Sequence, residues 1–421
     1  MKQHRVVILG GGFGGLRVAL ELEKRCARMG GCDIALIDRR GEHLYTPLLY
    51  EVATGFLEAE GPDCRGELRG GVCINLEQFR TIVGPKHITF HRGEVTGVDV
   101  ASKSVLLGNG DKISYDDLVI ALGSETAFYG IPGLEEHAYP FKHLGHAFKL
   151  RDKLHACLEA YRQGKDNKIE IVVGGAGATG TEFAAELAHY LHGLERASHI
   201  NTGDWSIRLV DALPNILMNF SDPLRALALK RLASLGVTVA TDTKVKSATD
   251  KILVVERQGK EETWNADVIV WCGGIKPANV LEALVIPKGP KGHVDVDEMF
   301  AVRGVENIYA LGDCSQIAIF GGFAPALAQA ATQEARALAE NVVRHVENRS
   351  QIAWVAPKQW HSLLPMGGKY AIGQLGPIRV SGVLGYLARK VVDLNYWKSV
   401  LPMRFALKVW TRGAMTYMKN D

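Results

Sequence analysis

The chain has 421 residues, enough for two or three domains. Hydrophobic residues make up 47% and charged residues 23%, a globular balance that excludes a disordered, collagen-like or solenoid chain. A net charge of +3 is too small to point to nucleic acid as a partner. Met1 to Arg5 runs straight into a strand with no signal-peptide core, so a cytoplasmic body is expected.

Arg5 to Leu9 is an apolar run of strand length. It ends in a GxGxxG turn with Gly10, Gly12 and Gly15 in the defining places, and helix signals follow from Leu16 to Arg25. The next strand, Asp33 to Ile37, delivers Asp38, 23 positions after Gly15. Gly10 permits the tight turn, Gly12 lets a pyrophosphate approach the backbone, and Gly15 lets helix and strand pack closely. The helix N-terminus offers free N–H groups to phosphate, and Asp38 can accept ribose hydroxyls.

The pattern returns. Ile169 to Val173 reads as a strand, and Gly175, Gly177 and Gly180 form a second GxGxxG. Thr181 to Leu191 reads as helix, and Ser206 to Val210 ends in Asp211. The polar stretch Glu195 to Asp204 is expected to lengthen the intervening loop. Two fingerprints in one chain imply two dinucleotides. Glu306 to Leu311, ending in Gly312-Asp313, reads as the late return of the first module, with Asp313 at the sheet mouth as a contact for a cofactor's polyol or as a helix N-cap.

Seven cysteines, at 26, 32, 64, 73, 157, 272 and 314, are odd in number and lack CxxC spacing. They read as reduced thiols, with no disulfide framework and no metal site. The uncharged stretch Cys314 to Gln333 contains Gly321-Gly322, Pro325 and three glutamines, so it reads as a loop and a buried helix, not a membrane span.

From Ile378 to Asp421 there are eight Lys or Arg against two Asp, a net +6. A helix from Pro402 would set Met403, Ala406, Leu407, Trp410 and Ala414 on one face, with Arg404, Lys408 and Arg412 opposite. An upstream helix repeats the pattern with Leu384, Leu387, Ala388, Val391 and Leu394. Basic amphipathic helices suit an anionic membrane surface; packing on the chain's own core, or a homodimer interface, is the other reading. On the membrane reading the tail from about Gly382 is expected to be removable, leaving a soluble enzyme.

Gly10–Gly15, Asp116 to Gly123 (DDLVIALG), Gly174–Glu182 and Ile308 to Asp313 (IYALGD) resemble the two-dinucleotide flavoprotein reductases. Within that group His43 to Ala53 (HLYTPLLYEVA), Ala328 to Gln333 (AQAATQ) and His361 to Trp410 resemble the type II NADH:quinone oxidoreductases. The resemblance implies an α/β fold with two Rossmann-like dinucleotide-binding domains, glutathione-reductase-like, plus a C-terminal amphipathic-helix membrane-binding region. The expected division is 1–145 and 299–350 for FAD, 146–298 for NADH, and 351–421 for the membrane.

It also implies that non-covalent FAD meets Gly10, Gly12, Phe13, Gly14, Gly15, Asp38, Arg39, Thr46, Val95, Ala121, Gly123, Gly312, Asp313, Ala328 and Gln329, with Lys369 nearby. NADH would meet Gly175, Gly177, Thr179, Gly180, Glu182, Asp211 and Gly273. Glu182 can also be a helix-dipole carboxylate, and Lys369 a solvated turn lysine. Gln329 and Gln333, four apart on one helix face, would meet a membrane quinone. The implied enzyme is a peripheral flavoprotein on the cytoplasmic face of the cell membrane that does not pump protons. A sulfide:quinone oxidoreductase-like enzyme, and a flavoprotein with an interaction or signalling role, remain as alternatives.

Overall fold

The computed structural model describes residues 3–55 and 62–417. The chain runs β1 (His4–Leu9), α1 (Phe13–Arg25), β2 (Cys32–Asp38) and the short α2 (Leu49–Thr54), then β3 (Ile88–Arg92), β4 (Asp117–Ile120), β5 (Ser124–Thr126) and β6 (Tyr139–Pro140). There follow α3 (Leu144–Arg162), β7 (Ile169–Gly174), α4 (Ala178–Arg196), β8 (Trp205–Val210), β9 (Thr238–Ala240), β10 (Val268–Trp271) and β11 (Ile275–Pro277). The last part holds β12 (Ile308–Ala310), α5 (Ala328–Val346), β13 (Ser362–Pro365), β14 (Ala371–Leu375), β15 (Ile378–Ser381), α6 (Gly382–Val400) and α7 (Met403–Tyr417).

Two five-stranded parallel sheets form the frame, in the orders β12-β4-β1-β2-β3 and β6-β10-β7-β8-β9. Both faces of a parallel sheet are covered, and the central strands read accordingly: Val6 to Leu9 and Val268 to Trp271 are buried without alternation. β12 pairs with β4 although it lies about 190 residues further along, so the second sheet is an insertion between the halves of the first. Each sheet carries an antiparallel meander, over 95–114 and 243–265. The antiparallel pair β5–β11 links the two modules.

Trp271 packs at that link. Its indole N–H donates to the Ala127 carbonyl at 2.8 Å. The ring fills the space where side chains at Gly174 and Gly273 would go; a Cβ on either would lie 2.4 Å from it.

The helices are longer than the sequence suggests. α1 starts at Phe13 and α4 spans Ala178–Arg196, because each starts within its glycine turn, capped by Gly12 or Gly177. The loop before β8 is correspondingly shorter than expected. α1 buries Leu16, Val18, Ala19 and Leu22 and ends in Lys24 and Arg25, which suit the negative end of the helix dipole. It packs along α5, and Arg28 bridges Glu340 and Glu347 at 2.9 Å each.

Two expectations are corrected here. Cys26 and Cys32 are joined as a disulfide, with Cα atoms 5.3 Å apart, so the reading of all the cysteines as free thiols fails for this pair. The turn between them closes on itself through Gly31 N–H to Cys26 O, which brings the sulfurs together; His87 lies beside them. The tail is also no detachable appendage. Trp397, Val400, Leu401 and Ala406 are core residues, and Trp410 donates its indole N–H to the Lys390 carbonyl at 2.9 Å. The face expected to be uniformly apolar therefore divides: Ala406 and Trp410 turn inward, while Met403 and Leu407 stay exposed. Among the described residues no helix is long and apolar enough to cross a membrane.

Candidate functional site

The two glycine turns are built alike. Gly10 and Gly175 have φ of +105° and +96°, a region that favours glycine, and a Cβ there would strike the Ala121 and Cys272 carbonyls at 2.3 and 2.5 Å. A Cβ on Gly15 or Gly180 would lie 1.9 Å from the carbonyl oxygen of Gly10 or Gly175. A Cβ on Gly12 or Gly177 would meet nothing within 4 Å, which leaves the helix N-terminus open to a phosphate. Asp38 accepts from Gly11 N–H at 2.7 Å and from Arg40 N–H at 2.7 Å; Asp211 accepts from Ala176 N–H at 2.6 Å and from Leu213 N–H at 2.8 Å. Both carboxylates thus brace their turn and stand at the strand end where a ribose would lie. These features fit a dinucleotide at each turn.

One cavity of about 1660 Å³ gathers most of the expected residues. Its wall contains Gly10, Gly12, Phe13, Gly14, Asp38, Arg39, Thr46, Val95, Ala121, Gly123, Gly312 and Asp313. Thr179 and Glu182 enter from α4, and Ala328, Gln329 and Gln333 from α5. Asp313 is not an N-cap: it accepts from Ser124 Oγ at 2.6 Å and pairs with Lys142 Nζ at 3.2 Å.

Other expected residues lie outside this wall. Gly15, Gly175, Gly177, Gly180 and Asp211 shape the turns, and Gly273 packs against Trp271. Lys369 is not brought to the cavity. It is exposed at the turn of the β13–β14 hairpin, where Gly367 and Gly368 lie close against His189 of α4. The exposed position fits the reading of Lys369 as a solvated turn lysine.

The cavity wall also contains residues that sequence reasoning missed. Arg389 on α6 pairs through Nε with Asp393 Oδ1 at 3.2 Å, and donates to the carbonyls of Pro47 at 3.1 Å and Leu363 at 3.4 Å. Asp393 Oδ1 also accepts from the Tyr45 hydroxyl at 2.7 Å. Burial works against the charge on Arg389, but Asp393 and the neighbouring acidic groups outweigh it and hold the guanidinium ionised. Burial pushes the Glu182 carboxyl up to about 7, with Arg389 opposing. Glu334, the residue after Gln333 on α5, is likewise pushed up to about 7 by burial, against the pull of the Gly312 N–H that it accepts at 2.7 Å. The one signal in the sequence was Arg389 and Asp393, four apart in a helix whose other charged residues are the cations Lys390 and Lys398.

The family profile of pyridine nucleotide-disulphide oxidoreductases matches residues 4–335. The demethylphylloquinone reductase NdbB of Synechocystis is 29% identical over 99% of this chain and 98% of its own length. A type II NADH:quinone oxidoreductase of Staphylococcus aureus is 27% identical over 93% of this chain and 94% of its own. Among solved structures, NDH2 from Plasmodium falciparum in complex with NADH superposes with a TM-score of 0.83 at 20% identity, covering 99% of this chain and 98% of that one. The sulfide:quinone oxidoreductase of Aquifex aeolicus superposes at 0.77 and 20% identity, covering 96% and 92%. The chain belongs to the pyridine nucleotide-disulphide oxidoreductase family, and over nearly its whole length it is similar to quinone reductases of that family.

Proposed function

We propose that this enzyme oxidises NADH through a non-covalently held FAD and reduces a quinone drawn from the bilayer. The observation that carries the proposal is the continuity of the cavity: one space runs from the first glycine turn past Glu182 to Gln329, Gln333 and α6. A flavin seated there supplies the chemistry of accepting a hydride and passing electrons on. The chain supplies position and charge. The open N-terminus of α1 and Lys142 meet the phosphates, while Asp38 and Asp313 accept from hydroxyl groups. Gln329 and Gln333 offer amides to a quinone carbonyl, with Ala328 and Ala331 leaving room for a flat ring. Glu182, near neutral in its titration, can hold a proton beside the acceptor.

The mouth supports acceptor entry from a membrane. Leu327 and Val392 line the cavity and are each 41% exposed. Next to Val392 on α6 lie Leu384, Leu387 and Val391, all more than half exposed, and α7 adds Met403, Leu407 and Met415. Lys398, Arg404 and Lys408 are exposed among them. An apolar face ringed by cations fits peripheral attachment to the cytoplasmic face of an anionic membrane.

The sulfide reading has less support. Burial pushes the thiols of Cys272 and Cys314 up to about 12, too high for a reactive thiolate, and the disulfide Cys26–Cys32 sits at the far end of α1 from its glycine turn. Turnover with NADH, NADPH and sulfide against a short-chain quinone tests the proposal. Rapid turnover is expected with NADH alone; sulfide-dependent turnover, or slow turnover with all three, would overturn it. Acid or heat should release the flavin as FAD.

A further inference from the structure

His43 lies between the phosphate-binding turn and the C-terminal helix. It sits on a short strand, Glu42–Leu44, and is fully buried. Nδ1 is 2.8 Å from the Gly11 carbonyl oxygen, and Nε2 is 2.5 Å from the Tyr396 hydroxyl on α6. Burial pushes the imidazole down to about 4, so it is neutral and carries one N–H. A carbonyl oxygen can only accept, so the N–H belongs on Nδ1. Nε2 then accepts from Tyr396, which burial keeps as a phenol. The chain of donors therefore has one direction: Tyr396 to His43 to Gly11.

The receiving end is the flavin's phosphate turn. Gly11 N–H is already taken by Asp38 Oδ2, so Gly11 is held at both its N–H and its carbonyl. The residues that follow it, Gly12 to Gly14, form the open N-terminus of α1. Packing reinforces the link: the Phe13 ring lies 5.3 Å from His43 and 5.1 Å from Tyr396. Further along, Arg17 of α1 donates to Ser399 of α6.

We propose that His43 is a positioning residue that couples the seating of α6 to the retention of FAD. The proposal rests on FAD occupying the first glycine turn. Three segments distant in sequence, at 11, 43 and 396, meet in this relay, and the imidazole satisfies both of its nitrogens only when α6 is docked. A displaced helix leaves a buried nitrogen without a donor and releases the Gly11 carbonyl from its outer constraint. The same helix bears the apolar face described above, so the flavin site and the proposed membrane face share one element.

The test uses the full-length holoenzyme and reads flavin, not turnover. Tyr396→Phe keeps the ring and removes only the donor. FAD release, followed by recovery of flavin fluorescence on dilution, should become about tenfold faster, the size expected from one buried hydrogen bond. His43→Phe should release at least as fast, and the double variant should match His43→Phe alone, because both substitutions break one chain. The melting temperature of the apoprotein should fall by only about 2–4 °C in Tyr396→Phe, the size of one lost buried hydrogen bond, with the fold intact. Release from Tyr396→Phe at the wild-type rate, or additive effects in the double variant, would overturn the relay. Wild-type protein that takes up no FAD on reconstitution would instead refute the cofactor assignment on which the relay rests.

Discussion

The Tyr45 hydroxyl donates to Asp393 across 348 positions of sequence, at 2.7 Å. It ties the loop before α2 to the buried face of α6, beside Arg389 and Glu182. The C-terminal helix is therefore a wall of the cavity as well as a surface element, and this changes what truncation should do.

Deleting residues from Gly382 onward should give an unstable, flavin-poor protein. It exposes the neighbours of Trp397, Val400 and Leu401 and strips Tyr45 and His43 of their partners. Leu384→Ser combined with Leu387→Ser should instead leave the fold intact and release the enzyme from anionic vesicles. Each exposed leucine removed from water contributes on the order of 1.5–3 kcal/mol. Vesicle co-sedimentation of the two proteins, with their flavin content, checks both outcomes. A truncated protein that keeps its FAD and its melting temperature would count against the wall.

Gln329→Leu and Gln333→Leu should slow quinone reduction about tenfold or more while NADH–ferricyanide activity stays close to wild type. The substitutions remove amides from the acceptor end of the cavity and leave the glycine turns untouched. Parallel assays with the two acceptors decide the point; equal loss of both would assign the glutamines to packing.

Glu182 sets a pH dependence. Its carboxyl is protonated below about 7, so a proton held for the acceptor is present there and is lost as pH rises through that value. The kcat for quinone reduction should fall through pH 7 in the wild type and be flat, and low, in Glu182→Gln. Arg389 lowers the Glu182 value, so Arg389→Met should move the inflection to higher pH. A pH–rate series on the three proteins measures both effects.

Glu334 affects stability. Its folded value near 7 exceeds the ordinary 4.5, so the folded state binds the extra proton between these limits, and stability is lost as pH rises through that window. Glu334→Gln keeps an acceptor for the Gly312 N–H and removes the ionisation. It should raise the melting temperature at pH 8 by about 2 °C and change it little at pH 4. Calorimetry at the two values would show it; a loss of stability at pH 8 would mean the charge is compensated.

Asp211→Asn should narrow the preference for NADH over NADPH about tenfold, since a carboxylate at the ribose repels a 2′-phosphate and an amide does not. The ratio of kcat/KM for the two donors is the measurement. Asn can still accept from Ala176 N–H, so the turn should survive the change.

The frame was legible in the sequence because it depends on short-range rules. Glycines at fixed spacing, followed by an acid at a strand end, force the same turn twice, and the two aspartates brace their turns in the same way. The place of Gln329 and Gln333 on the cavity wall was legible from a four-residue spacing and a resemblance. What was not legible depends on distant packing. Nothing local marks His43 or Tyr396 as partners. The close packing of Gly367 and Gly368 against α4, beside the exposed Lys369, has no local sequence mark either. The tail's amphipathic pattern was real, but periodicity cannot say which apolar residues face a membrane and which face the chain's own core. Ala406 and Leu407 adjoin in sequence and end on opposite sides. The Cys26–Cys32 bond escaped because a turn of two glycines, not a spacing motif, brings the sulfurs together.

Trp271 has a consequence for how this sequence can drift. Its ring occupies the volume that side chains at 174 and 273 would need, while its N–H satisfies Ala127 in the segment joining the two modules. The three positions therefore cannot change independently. A small residue at 271 would open the space for side chains at 174 or 273, whereas the tryptophan requires glycine at both. Covariation among these three columns would record a steric bargain that each column alone would disguise as simple invariance.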